Sequence, residues 1–195
     1  MALRRSQARA SKRYELAEPA LAEACRLEPR RKDACYQLGR VRYLLNRFAW
    51  AIASIEQSIA NGEPAGRAAL ALAQAREGRD EPALAEPLFR QAVKLRAPDA
   101  GLRLAMFLLR QSRVAESEAM ARKAVEANPK SPAALVEWAR AENHLERYAT
   151  ARTHLEQAVA LAPGYTVAHQ LLERVCRRLG DTEAAAWHRK KAEPQ

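Results

Sequence analysis

Apolar and small side chains recur in this chain at steps of three and four residues, the spacing that lines one face of an α-helix. Near the end the stripe reads Tyr148, Ala151, Leu155, Ala158 and Leu161, and it stops at Pro163. The same residue types stand at the same steps near the beginning: Tyr14, Ala17, Leu21, Ala24, Leu27 and Pro29. Following the position of Tyr148 through the chain gives Tyr14, Phe48, Pro82, Val114, Tyr148 and Thr182, at intervals of 34, 34, 32, 34 and 34 residues. A stripe that returns at a nearly fixed period marks a repeat array.

Two further columns keep the period. Ala17, Ala51, Ala85, Ser117, Ala151 and Ala185 form one, and Ala24, Ser58, Ala92, Ala124, Ala158 and Ala192 the other. Between them stand Leu21, Ile55, Phe89, Ala121, Leu155 and Arg189. Each period also contains an earlier helix, marked by Leu38-Gly39, Leu72-Ala73, Leu104-Ala105, Trp138-Ala139 and Leu172-Glu173. Polar or glycine-bearing turns separate the two helices, as at Asn46-Arg47, Gly78-Arg79-Asp80 and Gly180-Asp181. Asp80 followed by Pro82 reads as a cap and a first-turn proline, and Pro98 and Pro132 read as openings of first helices. Pro19 and Pro87 fall inside second helices, where a proline removes a hydrogen bond and favours a kink.

With these columns in place, the chain resembles the tetratricopeptide repeat family. The resemblance implies an all-α fold, a right-handed superhelical solenoid of antiparallel helix pairs. Four repeats are expected at 32–65, 66–97, 98–131 and 132–165. A partial amino-terminal repeat or cap is expected at 1–31, with a second helix at about 13–28, and a divergent carboxy-terminal repeat with capping helices at 166–195. Residues 1–11 do not fill the first-helix template, so they are expected to form a loose cap or to mark an array cut from a longer protein. Each helix pair is apolar on two sides, which makes stacking obligatory.

The resemblance further implies a concave groove lined by first helices. Carried onto this chain, the groove holds Tyr36, Arg40 and Tyr43, then Leu70, Gln74 and Glu77, then Leu102, Met106, Leu109 and Arg110. Val136, Arg140, Asn143 and His144 follow, with Gln170, Arg174, Arg177 and Arg178 in the last unit. Arginine forks suit carboxylates, and tyrosine and methionine supply apolar area. The expected function is therefore a non-catalytic scaffold that holds a peptide or protein segment with an acidic or carboxylate feature. The chaperone-tail clamp of one subfamily is not reproduced by Tyr36, Arg40 and Ala71.

Composition narrows the alternatives. The 195 residues carry a net charge of +10, mostly from arginine and spread along the chain with mild enrichment at the amino end. Nucleic-acid binders concentrate basic residues in a stripe with interleaved aromatics, so this distribution argues against that partner. A targeting module excised from a larger enzyme or multidomain protein is an alternative reading, and self-association through the amino-terminal helix is another. No apolar run approaches the roughly 20 residues of a membrane span, and MALRRSQARASKRY is not a secretory signal. A cytoplasm-like setting is the default expectation.

Catalytic chemistry finds no foothold. His144, His154, His169 and His188 are scattered over different units and lack metal-ligand spacing. Cys25, Cys35 and Cys176 are odd in number and are expected as buried, reduced thiols, although Cys25 and Cys35 fall on neighbouring helices. There is no phosphate loop, nucleophile elbow or carboxylate pair. No cofactor, metal, catalytic residue or small-molecule substrate is expected. Trp138 is placed in the core, and Trp50 and Trp187 on the outer side of second helices, expected either to be packed by neighbours, the favoured reading, or to mark a second contact surface.

Overall fold

The structure, a computed structural model, describes residues 2–27 and 32–193. Eleven helices and no strands occur among the described residues: α1 (Ala2–Leu27), α2 (Lys32–Leu44), α3 (Phe48–Ala60), α4 (Ala65–Gly78), α5 (Pro82–Lys94), α6 (Ala100–Arg110), α7 (Val114–Ala127), α8 (Pro132–His144), α9 (Tyr148–Leu161), α10 (Thr166–Arg178) and α11 (Thr182–Ala192). The fold is all-α. The chain divides into two compact units, Met1–Ala100 and Gly101–Gln195. In the first, α2 packs on α3, α4 on α5, and α1 and α4 flank the α2–α3 pair. In the second, α8 packs on α9, α10 on α11, and α7 lies against α8.

The helices meet where side chains are small. A Cβ on Gly39 of α2 would stand 2.5 Å from Ile55 Cγ1 and 3.1 Å from the Ala51 carbonyl oxygen of α3. Ala73, Ala105 and Ala139 occupy the same register in α4, α6 and α8, and all are fully buried. Larger residues fill the space beside each crossing. In the second unit Leu135, Leu155, Leu171, Leu172 and Val175 share one core with Ala151 and Ala158. Burying a leucine side chain of this kind contributes about 1.5–3 kcal/mol. Ser117 holds the α7–α6 crossing with a hydroxyl in place of alanine, and it donates to the Ala105 carbonyl at 2.8 Å.

Five turns join helices in one conformation. Asn46, Asp80, Ser112, Glu146 and Gly180 all have φ between 57° and 79°. The following residue returns a hydrogen bond across six residues, as Arg47 N to Arg42 O at 2.8 Å and Arg147 N to Glu142 O at 2.9 Å. This is the Schellman ending, which favours glycine, yet four of the five positions carry a side chain.

Several expectations need correction. Cys25 and Cys35 form a disulfide that joins α1 to α2, with Cα atoms 4.8 Å apart, and only Cys176 is a free buried thiol. An odd cysteine count speaks against a full framework but not against one bridge. Residues 2–11 are not loose: they belong to α1, which starts well before the expected helix at 13–28. Met1, residues 28–31 and residues 194–195 of the expected terminal segments lie outside the described residues. Both α1 and α5 run through their prolines, Pro19 and Pro87. Asp80 is not a cap, because it takes the left-handed turn position and leaves Glu81 before Pro82. Pro98 lies in the turn before α6, whereas Pro132 is the first residue of α8. Trp138 is half-buried, its ring stacked on His154 at 3.9 Å between centroids, and Trp50 and Trp187 are 58% and 51% exposed.

Two histidines meet inside the last helix pair. His169 of α10 and His188 of α11 are buried with their Nδ1 atoms 3.0 Å apart, and His169 Nε2 lies 2.9 Å from the Pro163 carbonyl oxygen. One assignment satisfies the three nitrogens in contact: His169 Nε2–H donates to Pro163, and His188 Nδ1–H donates to His169 Nδ1. Both rings are then neutral. Burial, with the neighbouring His169 next, lowers the His188 pKa below its usual 6.5; Arg152 lowers it further, while Glu156 and Asp181 oppose.

Three outcomes follow. Ala151→Phe overpacks a fully closed crossing and lowers stability by about 1–3 kcal/mol, read as a drop in denaturant midpoint. Glu146→Gly removes a left-handed side chain, and its gain, at most about 1 kcal/mol after the added freedom of the unfolded chain, raises the midpoint. His188 binds its proton more weakly folded than unfolded, so its contribution is complete above pH 6.5 and is lost as pH falls below that value. A melting series from pH 7.5 to 5 shows a smaller decline in His188→Gln than in the natural chain.

Candidate functional site

The first helices carry the groove positions, and burial sorts those positions. In the first unit Arg40 is exposed, while Tyr43, Leu70, Gln74 and Glu77 are half-buried. Tyr36 is only 8% exposed. Its ring lies 4.4 Å beneath the Arg67 guanidinium, which also stands 3.3 Å from the buried carboxylate of Glu63. Tyr36 therefore serves packing within the unit. Tyr43 leans on Phe48, with ring centroids 5.8 Å apart.

In the second unit Leu102, Met106, Leu109, Arg140 and Asn143 are half-buried, and Arg110, His144, Gln170, Arg174, Arg177 and Arg178 are exposed. Val136 is the correction. It has no exposed surface and packs in the core with Leu135, Ala139 and Leu155, so it presents nothing to a ligand. The apolar stripe of α8 is wider than the family template, and Val136 falls within it.

An arginine set surrounds one buried acid. Glu137 of α8 is 7% exposed, and Arg140 Nε approaches its Oε1 at 3.4 Å. Burial raises the Glu137 pKa, while Arg140, Arg110 and Arg103, in that order of strength, draw it down. The first-helix side of α6 and α8 thus gathers three guanidinia within electrostatic reach of a single carboxylate. On α10, Arg177 is held by Glu173 at 2.6 Å. The template did not point to Glu137 or Arg103. The Glu137–Arg140 spacing of three residues was a visible signal, whereas the approach of Arg103 and Arg110 from α6 is tertiary.

The second-helix side is differently built. Glu142 of α8 is buried and its carboxylate meets His154 Nδ1 at 2.8 Å. Arg152 of α9 bridges Glu156 at 2.7 Å and Asp181 at 2.9 Å, and Asp181 also caps α11 by accepting from Ala184 N. That cap, with Arg152 second, lowers the Asp181 pKa. These contacts fasten neighbouring helices together. Among the described residues, no group of three or more His, Cys, Asp or Glu side chains is arranged to hold a metal ion, and no helix is long and apolar enough to cross a membrane.

Comparisons with known proteins agree with this architecture. No curated protein matches the chain. Among solved structures it is similar to PilW, a widely conserved type IV pilus biogenesis factor, at 18% identity and a TM-score of 0.80 over 97% of this chain and 89% of that one. It is similar to YrrB, a TPR protein with an unusual peptide-binding site, at 20% identity and 0.61 over 83% and 84%. It is similar to a chain of the APC/C hetero-tetramer Cut9-Hcn1 at 16% and 0.79, over 93% of this chain and 36% of that one. Identities this low show the fold. The tetratricopeptide repeat profile matches residues 69–132 and 102–166, half of the sequence. The chain belongs to the tetratricopeptide repeat family.

Proposed function

We propose that the protein is a non-catalytic interaction scaffold whose first helices hold an acidic segment of a partner protein. The observation that carries this reading is the arginine set around Glu137. Arg140 contacts the buried Glu137 carboxylate with Arg103 and Arg110 within its electrostatic reach, and this gathering of guanidinia supports a surface suited to a carboxylate-bearing partner. Met106 and Leu109 beside them offer apolar contact, and exposed Arg174 and Arg178 extend the basic character along α10. In the first unit Arg40, Tyr43, Leu70 and Gln74 are the corresponding contact candidates. The family is built of protein-interaction repeats, and YrrB is described with a peptide-binding site, which supports a peptide or protein as partner. The similarity to about a third of a chain in the Cut9-Hcn1 hetero-tetramer supports a second reading, in which such an array acts as a module of a larger protein. The Cys25–Cys35 bridge favours a compartment that sustains disulfides over the reducing setting expected from the sequence.

The test is affinity for fluorescein-labelled acidic peptides ending in a free carboxylate, followed by anisotropy. Arg140→Glu with Arg174→Glu reverses charge on α8 and α10 and is expected to weaken binding at least tenfold, with helical circular dichroism retained at the binding temperature although loss of the Glu137 partner lowers the melting point. Equal affinity in the natural chain and the double variant would remove the first-helix surface from the account.

A further inference from the structure

The most exposed tryptophan of the described chain sits on α3, away from the first-helix residues just considered. Trp50 is 58% exposed, and it borders a cleft of about 500 Å³ lined by Asn46, Arg47, Phe48, Ala49, Trp50 and Arg79. This cleft lies wholly within the first unit, where the α2–α3 turn meets the α4–α5 turn.

Its walls are fixed from behind. Glu18 of α1 is only 7% exposed, and its carboxylate takes Arg42 Nε at 3.0 Å on one oxygen and Arg47 Nη1 on the other. Arg42 also donates to Ser54 Oγ at 2.6 Å. The two guanidinia consequently stand 5.6 and 5.8 Å from the centre of the Trp50 ring, within cation–π range. Across the cleft, Phe48 rests directly on Gly78, where any Cβ would come 2.5 Å from the ring. Arg79 is set by Glu81 at 3.1 Å, a carboxylate that Arg76 shares at 3.0 Å. Arg76 also faces Glu56 at 3.7 Å, so the positive excess comes chiefly from Arg42 and Arg47 sharing one acid.

We infer that this cleft is a second binding site, for a short acidic protein segment that carries a bulky apolar side chain next to a carboxylate. The indole and Phe48 give the apolar side chain its surface. Arg47 and Arg79, both exposed by more than two-fifths of their side chains, give the carboxylate its partners. A polynucleotide is the competing occupant, since a base can stack on an indole. Strand binding, however, uses successive stacking platforms along a basic track. Here Trp50 is the one tryptophan of the unit, and its cleft of about 500 Å³ offers a single stacking surface rather than a series of them. The inference is independent of the first-helix reading, because the two sites share no residue.

The full chain, labelled with ¹⁵N, is titrated with Glu-Asp-Leu-Asp-Glu, Glu-Asp-Phe-Asp-Glu, Lys-Lys-Phe-Lys-Lys and a twelve-residue oligodeoxythymidine. The Trp50 indole signal, assigned with Trp50→Phe, is expected to shift saturably with the acidic peptides and not with the basic one, while those of Trp138 and Trp187 stay in place. Arg140→Glu with Arg174→Glu leaves this site's indole shift intact, and in that background, where the first-helix surface is removed, Trp50→Ala and Arg79→Glu each weaken anisotropy-detected binding of the labelled acidic peptides at least fivefold. No Trp50 shift with either acidic peptide overturns the proposal, as does equal affinity in Trp50→Ala. A shift produced only by the oligonucleotide overturns it too and reassigns the cleft to nucleic acid.

Discussion

Gly39 leaves less than the width of a methyl group between α2 and α3, and the alanines at the matching crossings are sealed just as completely. Close approach of backbones is the constraint on which the remaining structure depends. It brings the leucines, isoleucine and phenylalanine of adjoining helices into one another's gaps, where dispersion and desolvation both favour the folded chain. It also fixes helix spacing so tightly that the outward side chains of first helices acquire defined neighbours. A scaffold of this kind needs no catalytic group to be specific, because the geometry of its surface is set by its core.

Several polar groups in this core are answered by a partner, whereas Trp138 Nε1 is buried without a hydrogen bond. Ser117 returns its hydroxyl to a carbonyl of α6, Glu142 meets His154, and the two buried histidines satisfy each other and Pro163. Glu18 and Glu137 act differently. Glu18 is a buried acid shared by Arg42 and Arg47, and Glu137 is a buried acid in contact with Arg140, so each sets the position of a guanidinium at the surface. The energetic cost of burying a carboxylate is offset by these partners. The surfaces proposed for interaction are thus organised from inside.

The fold was legible because helix periodicity and repeat period are both linear in the sequence: Tyr14, Phe48, Tyr148 and their alanine columns could be counted. The turns followed suit, since Asn46, Asp80, Ser112, Glu146 and Gly180 keep the same intervals. The site was legible in part. Arginines on first helices were visible, but the template also selected Val136 and Tyr36, which the wider apolar stripe of α8 and the Arg67 stack draw inward. What stayed hidden was tertiary. Nothing in the spacing joins Cys25 to Cys35, His169 to His188 or Glu18 to Arg47, because each pair is made by helices meeting rather than by residues following one another.

The proposed function makes the first helices of the second unit, α6, α8 and α10, the contact surface, and its second helices, α7, α9 and α11, their support. Arginine side-chain Nε–Hε resonances read it directly during titration with an acidic carboxy-terminal peptide. The account predicts that Arg140 and Arg174 shift and saturate together while Arg122, Arg152 and Arg189 on second helices stay fixed. Shifts confined to Arg122, Arg152 and Arg189, with Arg140 and Arg174 unmoved, would contradict it.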